Sequence, residues 1–142
     1  MNKNGFTLIE LMVVVVIVAI FAAISIPSYQ TYIRRADASK AQQELKRIAT
    51  LLERHKARNF SYKGFDLSKQ VFSTPRTYTF VLSDGADVEK SLIDSNGLSW
   101  MLKATTTDPK NYNYLITSTG LRCKSKTATL VDFACENGSE SW

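Results

Sequence analysis

The side chains able to do chemistry in this 142-residue sequence are few, and they gather in three places. Cys123 and Cys135 stand near the C-terminus with eleven residues between them, and His55 is the one histidine. With no Cys-x-x-Cys pair, a four-ligand zinc site lacks its usual donors, and a disulfide closing a C-terminal loop is the better reading. That reading places this part of the chain in an oxidising compartment. Glu10 is the only charge within the apolar run Phe6 to Ile26, where an ionised carboxylate costs about 2.5 to 3.5 kcal/mol at the centre of a bilayer and calls for a partner. Arg122, Lys124 and Lys126 form the third group. At a spacing of two, an extended segment projects them to one side, where they either follow a phosphate backbone or form a solvated basic edge that discourages strand pairing. Asp132 and Glu136 follow them closely enough to neutralise part of that charge.

Nothing here assembles into an enzyme. The carboxylates are scattered, there is no nucleophile elbow and no phosphate-binding glycine loop, and His55 reads as a surface residue. The reading is of a non-enzymatic chain with no cofactor and no metal.

The elements that must carry these groups follow from periodicity. Every residue from Leu11 to Ile24 is apolar, and from Phe6 to Ile26 only Thr7, Glu10 and Ser25 interrupt. As a helix this run spans about 30 Å, the thickness of a bilayer core. The pattern then turns amphipathic: Ile33, Ala38, Ala41, Leu45, Ile48 and Leu52 recur at helical spacing, with Lys40, Gln43, Lys46, Arg47, Glu53 and Arg54 in other directions. One helix from Phe6 to about Arg58 would be on the order of 80 Å long, with Pro27 as the place where it bends, because proline donates no backbone hydrogen bond. Asn59 to Thr77 reads as a connection in which Phe60, Tyr62 and Phe65 pack. Alternating apolar residues then predict strands around Tyr78 to Leu82, Trp100 to Ala104 and Tyr112 to Ile116, with a shorter one near Leu130 to Phe133. An antiparallel sheet covering the stripe Ala41, Leu45, Ile48 and Leu52 gives an α+β head.

The net charge of +5 is uneven: residues 1–63 hold ten Lys or Arg against four acids, residues 64–121 five against six, and residues 122–142 three against three. A basic total concentrated in the N-terminal helix is weak evidence for a nucleic-acid partner.

Met1-Asn2-Lys3-Asn4-Gly5 followed by Phe6-Thr7-Leu8-Ile9-Glu10-Leu11 resembles the class III leader and mature start of type IV prepilins. The resemblance implies that a membrane-embedded prepilin peptidase cuts between Gly5 and Phe6 and methylates the new Phe6 amine. It also implies that Glu10, fifth in the mature chain, meets that amine of a neighbouring subunit and sets assembly register, since a buried unpaired charge is costly and a paired one much less so. Pro27 stands where the family has a proline. Three parts are expected: a cleaved leader at 1–5, a transmembrane and filament-core helix at 6–27, and a head at 28–142. Arg34 and Arg35 close to the span would by charge counting put the head in the cytoplasm. The family and the cysteine pair put it in the periplasm, and this second topology is adopted.

Major pilins, minor pilins and type II secretion pseudopilins share this N-terminal half. The segments Asn59 to Asp66 and Ile116 to Cys123, with Trp142, look like minor type IVa pilins, a group that includes DNA-uptake receptors, and the cysteine pair leans away from the major pseudopilin. The expected function is a minor type IV pilin serving motility, adhesion or DNA uptake, with a DNA-binding pilus receptor as the alternative. The implied partners are the prepilin peptidase, other pilins, an inner-membrane assembly platform, the membrane itself and, for the alternative, DNA through Arg122, Lys124 and Lys126. The chain is expected in the inner membrane first and in an extracellular pilus afterwards.

Overall fold

The computed structural model describes residues 5–142, so Met1 to Asn4 of the expected leader lie outside the described residues. Two compact units divide the chain, Met1–Arg35 and Ala36–Trp142. A single helix, α1 (Leu8–Asn59), contributes to both and runs through Pro27 without interruption. Within the first unit it is a lone helix whose large apolar side chains from Leu8 to Ile26 are all exposed. It contains a stretch long and apolar enough to cross a membrane.

The second unit is built around the other half of α1. Ala41, Leu45, Ile48 and Leu52 recur at intervals of four, three and four, lie on one face and are fully buried. Four antiparallel strands cover them in the order β1 (Tyr78–Asp84), β2 (Trp100–Thr106), β3 (Asn113–Thr117) and β4 (Arg122–Ser125). The register Leu82 to Leu102, Phe80 to Ala104, Leu102 to Ile116 and Ala104 to Tyr114 brings inward positions opposite one another, so one sheet face is continuous and apolar. Tyr62, Phe65, Tyr78, Leu92, Trp100 and Tyr114 complete this core. Burial pushes the Tyr78 phenol well above its ordinary pKa, with Tyr114 adding to the shift, and its hydroxyl donates to the Tyr112 carbonyl at 2.8 Å. It therefore stays protonated throughout the physiological range.

The strand expected near Leu130 to Phe133 is instead a short 3-10 turn, Ala128–Val131, and the fourth strand is Arg122–Ser125. The reason is β3, every residue of which is buried. Tyr114 and Ile116 face α1, while Leu115 points to the opposite side, where Cys123 and Val131 form a second, smaller core with Met101 and Cys135 around it. Val131 serves as a plug for that far face. In the connection after α1, Tyr62 and Phe65 pack as expected, but Phe60 does not: it is 91% exposed.

Leu45→Ala should destabilise the second unit by about 2 to 5 kcal/mol, since it leaves a cavity where the helix meets the sheet. Val13→Ala, on the exposed part of α1, should change thermal stability by no more than about 0.5 kcal/mol. Thermal melts of the two variants in detergent check the contrast.

Candidate functional site

The N-terminal segment is organised by a reciprocal cap. The Glu10 backbone N–H donates to Thr7 Oγ1 at 3.3 Å, and Glu10 Oε2 accepts from the Thr7 N–H at 3.3 Å and from its hydroxyl at 3.1 Å. This is a capping box, with Thr7 as the residue that precedes the helix and Glu10 in its first turn. The Thr-x-x-Glu spacing of Thr7 and Glu10 is the sequence signature of this box, set at the head of an apolar run where the charge of Glu10 is the more conspicuous feature. Phe6 is 81% exposed, and a Cβ built on Gly5 would meet nothing within 4 Å. Among the described residues no contact requires glycine there. At Pro27 the backbone carbonyl accepts from Thr31 Oγ1 at 3.1 Å, inside the unbroken α1.

At the other end of the chain Cys123 and Cys135 are joined, with a Cα–Cα separation of 5.8 Å. Cys123 is the second residue of β4, so the disulfide ties the following segment to the sheet's outermost strand. That strand is further covered by an antiparallel bridge: the Lys124 N–H donates to the Glu140 carbonyl at 2.7 Å and the Glu140 N–H donates back at 2.9 Å. Trp142 closes the arrangement. Its indole N–H donates to the Cys123 carbonyl at 2.9 Å, and its ring stands edge-on to Tyr114 at 5.3 Å.

Around these aromatics the structure gathers four cations. Arg122 and Lys46 lie over the Trp142 ring, 5.8 Å and 5.7 Å from its centroid, while Lys124 and Lys126 lie over Tyr112 at 5.1 Å and 5.4 Å. Arg122 and Lys124 occupy alternate positions of β4, opposite Ile116 and Tyr114. Lys126 follows the strand yet shares its ring with Lys124. The charge census differs from the expectation. Asp132 ion-pairs with Lys103 rather than with this group, and the acid beside Lys124 is Glu140, at 3.4 Å. Lys46, Tyr112 and Trp142 were not assigned to the basic group from sequence, because their meeting depends on how α1 and β4 pack on the same sheet.

His55 is half-buried: its Nε2 donates to the Lys63 carbonyl at 3.0 Å and its ring stands edge-on to Phe65 at 5.5 Å. It positions the connection after α1. Among the described residues no group of three or more His, Cys, Asp or Glu side chains could hold a metal.

A capped apolar helix whose second half packs on a four-stranded antiparallel meander, with a stapled C-terminal segment, is the fold of a type IV pilin. A family model for the prokaryotic N-terminal methylation motif matches residues 1–26, and one for the type IV minor pilin ComP, DNA uptake sequence receptor, matches residues 27–127. The chain belongs to this minor-pilin family. It is 30% identical over 139 residues to prepilin peptidase-dependent protein D of Escherichia coli, covering 96% of this chain and 93% of that one. It is 51% identical over 51 residues to the type IV major fimbrial protein FimA of Dichelobacter nodosus, which is 36% of this chain and 33% of that one. Over 61 residues it is 43% identical to type II secretion system core protein G of Pseudomonas aeruginosa, 43% of each chain. The chain thus spans about a third of the length of the fimbrial relative. No solved structure matches it significantly.

Reducing the Cys123–Cys135 bond should lower the stability of the second unit by about 3 kcal/mol, the loop-closure value for a loop of this size. The helix should persist. Circular dichroism with and without reductant, following both melting temperature and helical signal, checks this.

Proposed function

We propose that this chain is a minor pilin that is processed at Gly5–Phe6, held in the inner membrane by the apolar part of α1, and assembled with other pilins into a type IV pilus on which its head binds DNA. The observation that carries the DNA reading is the cation cluster Lys46, Arg122, Lys124 and Lys126 seated over Trp142 and Tyr112. A solvated edge that merely discourages strand pairing is less well supported, because the edge at Lys124 is already paired with Glu140. Cations spread over aromatic faces leave N–H donors pointing outward, and each phosphate they neutralise releases counterions. The family description, a DNA uptake sequence receptor, supports the same reading.

Replacing Arg122, Lys124 and Lys126 together by Gln should weaken duplex binding and flatten its salt dependence. For three phosphates the share of the slope of log affinity against log salt that is lost is about 2.7. The fold and disulfide should be retained, as checked by circular dichroism and thiol titration. Equal binding by parent and triple variant would return the cluster to a surface role.

For the N-terminus the proposed roles are cleavage after Gly5, methylation of the Phe6 amine and pairing of that amine with Glu10 of a neighbouring subunit. The open space at Gly5 supports a requirement imposed by the peptidase rather than by the fold. Pro27 is proposed as the point where α1 yields during insertion among neighbours. Glu10 has two separable jobs, because glutamine can keep the capping box but carries no charge. Gly5→Val should leave the precursor uncut, as read by mass spectrometry. Glu10→Gln should be processed and present in membranes at parental levels yet scarce in sheared pili. Parental abundance in pili would leave capping as the whole role of Glu10.

A further inference from the structure

The residue after α1 has a conformation its side chain does not favour. Phe60 has φ 58°, and its N–H donates to the Lys56 carbonyl at 2.7 Å. This is the single-bond left-handed cap that ends many helices, at the position where glycine is the usual residue because a Cβ is strained there. Inside a folded chain such strain is ordinarily offset by packing. Phe60 has none to offset it, being 91% exposed.

Directly after it the chain is pinned. Ser61 Oγ and the Tyr62 N–H both donate to the Gly97 carbonyl, at 3.2 Å and 2.9 Å. Gly97 has φ 69°, and a Cβ there would lie 2.4 Å from the Lys63 nitrogen, so the close approach requires glycine. The next residue, Leu98, is 75% exposed. Two large apolar side chains therefore flank one rigid junction and face solvent. Arg58 and Lys63 adjoin it and form no ion pair among the described residues. The nearby Glu53 carboxylate is engaged by the Tyr62 hydroxyl at 2.7 Å, with Lys56 over the Tyr62 ring.

We propose that Phe60 and Leu98 form an apolar wedge that enters the base stack of duplex DNA while Arg58 and Lys63 hold the flanking phosphates. The proposal rests on the reading of the head as DNA-binding. Phe and Leu are side chains that partially unstack base steps when cations anchor the backbone on either side. Charge complementarity selects a polyanion. Position selects DNA: Lys46, Glu53 and Ala57 share one face of α1, so the helix end lies about 20 Å along the rod from the Lys46 and Arg122 cluster, within one turn of a duplex of about 34 Å.

The test uses the full processed chain in detergent micelles and a 30-base-pair mixed-sequence duplex with 2-aminopurine at successive adenine positions. The parent should raise 2-aminopurine emission as a step unstacks. Phe60→Ala and Leu98→Ala should each weaken binding about tenfold and reduce that rise, with an unchanged salt slope. Arg58→Gln and Lys63→Gln should each flatten the slope by about 0.9. Phe60→Trp should restore both signals. Phe60→Gly should raise the melting temperature while losing affinity, which separates the wedge from any folding role. A parent that binds no duplex overturns the DNA reading as a whole. Phe60→Ala binding within twofold of a binding parent, with the emission rise intact, overturns the wedge alone. Normal DNA binding by that variant with loss of pilus assembly or of anionic-vesicle binding assigns Phe60 to a protein or lipid contact and also overturns it.

Discussion

The head depends on one contact, the seating of Ala41, Leu45, Ile48 and Leu52 against a sheet of four strands. Ala41 at one end of the row leaves room for close approach, and the three larger side chains below it reach into the layer formed by Tyr78, Leu102, Ala104, Tyr114 and Ile116. Burying each such aliphatic side chain contributes about 1.5 to 3 kcal/mol, and among the described residues no second α-helix shares the task. The register of every strand then follows, since a slip of one residue would turn the apolar set away from α1.

The same helix has the opposite condition in the first unit. Its large apolar side chains from Leu8 to Ile26 are exposed, which is unfavourable in water and is relieved by lipid or by other subunits. Thr7 and Glu10 satisfy the helix start without outside help. Glu10 Oε2 takes both of the bonds from Thr7 that this cap supplies to the carboxylate. The residue that costs most in an apolar run therefore has local hydrogen bonds within its own chain, which lowers the cost of placing it in apolar surroundings.

The C-terminal segment solves a different problem. A sheet that ends in a four-residue strand exposes an edge and leaves the far side of β3 uncovered. The disulfide, the Val131 plug, the Glu140 bridge and the Trp142 indole deal with both, and in doing so the segment brings the Trp142 ring beneath Arg122 of β4. Structural closure and surface chemistry are here made from the same residues.

Patterns carried by neighbours in sequence were legible from the sequence alone. The long helix, its change from wholly apolar to amphipathic at Ile33 to Leu52, three of the strands and the cysteine pairing all follow from period, length and composition. The Gly5, Phe6 and Glu10 arrangement was equally local. What needed the tertiary structure was every feature made by residues far apart. The Leu130 to Phe133 run is apolar enough for a strand, yet its Val131 plugs the far face of β3, because β4 already occupies the next ladder position and only the folded sheet shows it. Lys46 and Arg122, 76 positions apart, meet over the ring of Trp142, and no periodicity records that. Phe60 looked like a core anchor because composition reports hydrophobicity but not backbone sign; its left-handed φ, imposed by the end of α1 and the pinned Ser61 to Gly97 junction, turns the ring to solvent.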